Sequence, residues 1–135
     1  MRPIVSGIIV AIVLLSACTM QAQHDVVNLE PKTVQDLLDA KEKMGLFVLN
    51  VHTPYEGTLE KTDAIIEDWE HIAGHVDQLP TDKHTPILVY CRTGRMSTSA
   101  ATQLQDLGYT TIYHLNGGMK AWGAQGLPVI DKAWD

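Results

Sequence analysis

Apolar and polar positions fall into blocks along this chain, and the blocks differ in period. In residues 33–45, Val34, Leu37 and Leu38 lie on one stripe of a helix. Thr33 and Asp36 have the spacing of a capping-box-like start, and Gly45 provides the stop. Residues 46–51 are apolar without alternation, rich in strand formers and too short for a helix, which predicts a strand covered on both faces. Residues 53–57 break the pattern, and residues 64–66 predict a brief second strand. Trp69, Ile72, Ala73, Val76 and Leu79 then recur at helical spacing and end at Pro80. After a polar loop over residues 81–86, Ile87, Leu88, Val89 and Tyr90 form the clearest strand in the sequence. Residues 97–107 predict a helix ended by Gly108, residues 111–115 a strand, Gly117 and Gly118 a turn, and residues 119–125 a last helix closed by Gly126 and Pro128. Strands alternating with helices predict one α/β domain over residues 33–131, with a mostly parallel central sheet flanked by helices.

The N-terminus follows a different logic. Arg2 precedes an apolar run from Ile4 to Leu15, followed by Leu15-Ser16-Ala17-Cys18, the layout of a secretory signal over residues 1–17. The run falls short of the roughly 20 apolar residues that a membrane-crossing helix needs. Leu15-Ser16-Ala17-Cys18 also resembles the bacterial lipoprotein box, a pattern in which the cysteine is lipidated and becomes the new first residue. That resemblance implies cleavage before Cys18, lipidation there, a polar tether through residue 32, and an exported, periplasm-facing domain anchored to a bacterial membrane. Thr19, standing where an aspartate is associated with inner-membrane retention, implies the outer membrane.

Charge and cysteine content narrow the chemistry. Ten basic against sixteen acidic residues make a phosphate backbone an unsuitable partner, so no nucleic acid is expected. Lipidation would consume Cys18 and leave Cys91 as the other cysteine of two, without a partner. Exported proteins usually pair their thiols, so a lone one is flagged as reactive or intermolecular. His71 and His75 are four apart, the spacing at which two imidazoles share a metal, but no third ligand lies near in sequence. They are expected to be surface histidines, with no metal and no cofactor.

Cys91 directly follows the strongest predicted strand. Open α/β sheets bind ligands beyond the carboxyl ends of their strands, where helix N-termini offer free N–H groups and a favourable dipole. A thiolate at that point is stabilised by the helix beginning near Ser97, by the loop N–H groups, and by Arg92 and Arg95 where they fold inward. Gly94 lets the loop curl so that successive N–H groups converge. A sulfur nucleophile must be a thiolate, so the placement is chemically useful.

Tyr90-Cys91-Arg92-Thr93-Gly94-Arg95-Met96-Ser97 is similar to the active-site loop of the rhodanese family, and Leu115-Asn116-Gly117-Gly118-Met119-Lys120-Ala121-Trp122, followed by Gly126-Leu127-Pro128-Val129, is a second family-like stretch. The resemblance spans residues 33–130 and implies a rhodanese-like fold with thiosulfate sulfurtransferase chemistry. Cys91 would attack the outer sulfur of a donor such as thiosulfate and hold it as a persulfide for a thiol or cyanide acceptor. Arg92, Thr93, Gly94, Arg95, Met96 and Ser97 would bind substrate, their N–H groups as a cradle and the two arginines as anion holders. The chain departs from the family at Asn50-Val51-His52, where Asp-Val-Arg is usual, and in residues 58–66, which replace a His-Ile-Pro-Gly-Ala stretch. An Asp–Arg pair supporting the loop is therefore not expected. Two other readings stay open. One is a rhodanese-like module for redox sensing or binding, since a fold does not guarantee its activity. The other is a cysteine phosphatase or arsenate reductase, which generally needs an arginine six positions after the cysteine, where this chain has Ser97.

Overall fold

A computed structural model describes residues 24–135. The signal expected over residues 1–17, the lipidation at Cys18 and the first part of the tether lie outside the described residues. The elements are β1 (Val27–Leu29), α1 (Pro31–Asp39), α2 (Lys41–Met44), β2 (Phe47–Asn50), β3 (Ala64–Ile65), a 3-10 segment (Ile72–Gln78), β4 (Ile87–Tyr90), α3 (Arg95–Asp106), β5 (Ile112–Leu115) and α4 (Gly118–Ala124). The five strands form one sheet in the order β1-β5-β4-β2-β3, and every neighbouring pair is parallel. The expected α/β architecture is therefore the observed one.

Two cores explain why β2 and β4 show no alternation. On one face, Leu49, Val51, Ile87, Val89 and Ile112 pack against Ala100, Ala101 and Leu104 of α3 and against Ile72. On the other, Val48, Leu88, Tyr90 and Leu115 meet Val34 and Leu38 of α1 and Met119 and Trp122 of α4. Successive strand residues point to opposite faces, so a strand sandwiched between helices must be apolar at every position.

Three segments differ from the sequence-based expectation. Val27–Leu29, read as tether, forms edge strand β1 beside β5, with Val27 facing Tyr113 and Leu29 facing Leu115. An edge strand with exposed positions carries little hydrophobic signal. The first helix begins at Pro31 and not at Thr33, because proline's fixed φ suits the first helical position; the cap is Glu30, without a side-chain bond. That helix also breaks at Ala40, and Gly45 ends α2 in the left-handed region as expected. Finally, the segment around Trp69 and Leu79 is a 3-10 segment interrupted at His75, not a continuous α-helix. Its backbone finds partners outside itself: the Gln103 side chain accepts from the Ile72 N–H at 2.9 Å and donates to the Trp69 carbonyl at 2.7 Å.

The segment that replaces the missing family stretch is organised by Tyr90. Its buried hydroxyl accepts the Leu59 N–H at 2.9 Å and lies 2.7 Å from the Thr58 hydroxyl and 2.8 Å from that of Thr62. Thr62 in turn donates to the Leu59 carbonyl at 2.8 Å. Burial pushes the Tyr90 phenol above its ordinary range, so it stays a neutral hub. The side chain that ends β4 on one face thus holds residues 58–62, while its neighbour Cys91 faces the other way. We expect Tyr90→Phe, which strands the buried Leu59 N–H, to lower stability by about 1–3 kcal/mol in urea unfolding. An unchanged midpoint would mean that the hub is dispensable.

Candidate active site

Cys91 leaves the carboxyl end of β4 with its side chain 1% exposed. Its Sγ accepts the Gly94 N–H at 3.0 Å and stands 3.2 Å from the Ser97 hydroxyl. Gly94 adopts φ +106 and is the N-cap of α3. Its carbonyl receives the Thr98 N–H at 3.0 Å and the Thr98 hydroxyl at 2.7 Å, which fixes the start of the helix. The N–H groups of Arg95, Met96 and Ser97 open α3 and have no carbonyl one turn back, so this helix end offers donors and a positive dipole beside the sulfur.

The loop is gripped from behind by α4. Met119 N–H donates to the Cys91 carbonyl and Lys120 N–H to the Arg92 carbonyl, both at 2.9 Å. This approach demands glycine at position 118. A Cβ there would lie 2.5 Å from the Arg92 carbonyl carbon and oxygen and from the Cys91 oxygen, and the backbone is left-handed at φ +61. Gly117, at φ +75, would place a Cβ 2.6 Å from that of Ala121. The two sequence motifs are therefore two sides of one contact.

Behind Ser97 stands a residue that the sequence reading missed. His114 Nε2 is 2.7 Å from the Ser97 hydroxyl, and His114 Nδ1 is 2.8 Å from the Asn28 side-chain oxygen. Ser97 and His114 are both buried. Desolvation lowers the imidazole's affinity for a proton, and a backbone bond to Gly94 partly offsets this. A signal was present in the sequence: His114 sits two residues after Ile112, on the inner face of a strand near its carboxyl end. Asn28 could not have been found without β1.

The rim of the site accounts for the departures at Asn50 and His52. Asn50 is buried; its oxygen accepts the His52 N–H and its amide donates to the Gly57 carbonyl, each at 3.0 Å. The His52 ring bonds the Glu56 carboxylate, which also takes Arg92 Nη1 at 3.1 Å. Arg92 thus supplies a cation to this cluster from the loop itself. Its Nε is buried without a partner among the described residues. Arg95 is exposed, its guanidinium 5.5 Å from the Trp69 ring centroid, while Thr93 is exposed and Met96 partly buried. Of the residues singled out in the loop, Cys91, Gly94 and Ser97 converge on the sulfur, whereas Arg92 and Arg95 are engaged at the rim. His71 and His75 share Asp68 at 2.9 and 3.1 Å on the surface, and no cluster of three or more potential metal ligands occurs among the described residues.

Comparison with known proteins bears on the family and the fold. Residues 32–125 match the model of the Rhodanese-like domain. The chain is 29% identical over 99 residues to a sulfurtransferase of Allochromatium vinosum, covering 71% of this chain and 86% of that protein. It is 31% identical over 105 residues to an uncharacterized protein of Synechocystis, of whose length it spans 56% while 77% of this chain is matched. Among solved structures, the polysulfide-sulfur transferase homodimer of Wolinella succinogenes is similar with a TM-score of 0.65 and 27% identity over 82% of each chain.

The contact between loop and α4 is testable by Gly118→Ala. A left-handed alanine whose Cβ meets backbone atoms should cost about 3 kcal/mol or more, because neither side can rotate away. Equilibrium unfolding measures the cost, and a loss below about 1 kcal/mol would mean that the loop yields freely.

Proposed function

The chain belongs to the rhodanese-like sulfurtransferase family, and from that premise we propose that Cys91 carries a sulfane sulfur, as a persulfide, from a donor such as thiosulfate to a thiol or cyanide. The observation that supports this most directly is the surroundings of Sγ: the Gly94 N–H and the Ser97 hydroxyl lie at bonding distance, at the head of a 12-residue helix. Such a pocket stabilises a thiolate.

The Cys91 thiolate attacks the outer sulfur of thiosulfate, and the S–S bond of the donor breaks. Sulfite leaves with the electron pair. An acceptor thiolate or cyanide then attacks the outer sulfur of the persulfide, and Cys91 departs as a thiolate, ready for another round. The helix end and loop amides offset the repulsion between two approaching anions. Arg95 adds an exposed positive charge near the loop, while the charge of Arg92 is partly balanced by Glu56. The phosphatase reading is less well supported: where that chemistry places an oxyanion-clamping arginine, this chain has a buried serine.

Mass spectrometry after incubation with thiosulfate is the direct test. A gain of one sulfur atom is expected on the peptide containing Cys91, and none in Cys91→Ala. No gain from thiosulfate or from an organic persulfide would leave binding or redox sensing as the better account.

We further propose that the domain works outside the cytoplasm, held to a bacterial membrane by a lipid on Cys18; the support is the Leu15-Ser16-Ala17-Cys18 box. Cys18→Ser should move the protein from the membrane to the soluble fraction, and wild-type protein found wholly soluble would contradict the anchor.

A further inference from the structure

We propose that Asn28, His114 and Ser97 form a relay that draws the thiol proton off Cys91 and holds the resulting thiolate. The inference rests on Cys91 being the nucleophile of the proposed reaction. Within the relay, Ser97 touches the reacting sulfur, and His114 is a positioning residue that acts through it.

The hydrogen bonds set the direction. The Asn28 side-chain oxygen can only accept, so His114 Nδ1 carries a proton and donates across 2.8 Å. Nε2 of the neutral ring is then a lone-pair acceptor, 2.7 Å from the Ser97 hydroxyl. The Ser97 hydroxyl is also within donating distance of the Gly94 carbonyl and of Cys91 Sγ, each at 3.2 Å. While the thiol is protonated, the single Ser97 proton takes the shortest contact, to Nε2, and the oxygen lone pairs are left to face the S–H. When the thiol ionises, the S–H bond breaks and its proton goes to Ser97 Oγ. The former Ser97 proton moves to His114 Nε2. The product is an imidazolium that donates to Ser97, which donates to the thiolate, while Gly94 N–H remains on the sulfur. No electrons leave the set, and no co-reactant is required.

The surroundings leave the imidazole available for this role. The groups bearing on it are the Asn28 amide from β1, the Ser97 hydroxyl from α3, the Gly94 carbonyl from the loop and, in register on β4, apolar Val89. No charged side chain is among these groups, and burial lowers the ring's affinity for a proton. Cys91, reached through Ser97, is the ionisable partner.

The test is the pH dependence of Cys91 alkylation by iodoacetamide, with no sulfur donor present. The midpoint is the quantity of interest, because loosened packing changes access and therefore the plateau. His114→Gln and Ser97→Ala should each move the midpoint up by about one pH unit, a loss of about tenfold in thiolate at neutral pH. Asn28→Asp works in the opposite sense: a carboxylate beside Nδ1–H makes the ring a stronger proton acceptor, so the midpoint should fall. Asn28 is exposed on the edge strand, so this change is tolerable to the fold, and a loss of structure cannot mimic a downward shift. Midpoints unmoved in His114→Gln and Ser97→Ala, or a midpoint that fails to fall in Asn28→Asp, would overturn the relay. If the midpoints move as expected while no donor yields a persulfide, the relay stands and the sulfur-transfer reading falls.

Discussion

A loop can aim its amides at one atom only if its carbonyls are turned away and satisfied elsewhere. In this domain that requirement is met by the first turn of α4, whose Met119 and Lys120 N–H groups take the carbonyls of Cys91 and Arg92. Helix N-termini always carry donors without intrahelical partners, and loop carbonyls near a core always need donors. Each deficit here removes the other. The parallel register of β4 and β5 brings the two strand ends side by side, so that the connections leaving them meet. Gly118 is the condition for the meeting, since any side chain would occupy the space of the loop backbone. The position of Sγ under Gly94 N–H and beside α3 follows from this grip.

The rim shows how a family pattern can be altered without loss of its geometry. Asn50 retains the acceptor that an aspartate would offer to the His52 N–H, and it gains a donor that ties down Gly57. A fully buried carboxylate is avoided, and with it a desolvation cost. Where the usual Asp-Val-Arg would bring a cation from the strand, Arg92 supplies one from the loop, bound to a Glu56 carboxylate that His52 also orients. The pair is partly exposed, so its worth lies in fixing the loop side chain more than in stability.

Much of this was legible in the sequence because it is written in local patterns. The unbroken apolar runs of β2 and β4, the glycine stop at Gly45 and the paired motifs around Cys91 and Gly118 each reflect a constraint acting over a few residues. What escaped depends on long-range partners. β1 is a strand only because β5 lies beside it, and Val27, Asn28 and Leu29 in isolation are indistinguishable from a tether. The 3-10 segment before Pro80 looked helical because its apolar spacing is right, but its backbone is bonded to Gln103 of another helix. His114 is hidden for the same reason: its meaning comes from Ser97 and Asn28, 17 and 86 positions earlier in the chain.

The near-complete burial of Cys91 bears on which of two sulfurs an incoming nucleophile would meet. A persulfide places its outer sulfur about 2 Å beyond Sγ, and attack at either sulfur is chemically feasible. Attack at the inner sulfur would give a mixed disulfide and release hydrosulfide, wasting the cargo and blocking the protein. The burial of Sγ opposes that trajectory and leaves the outer atom as the one an acceptor would meet. Burial would therefore act as a regiochemical guard, turning a reaction with two exits into one in which the sulfur is handed on.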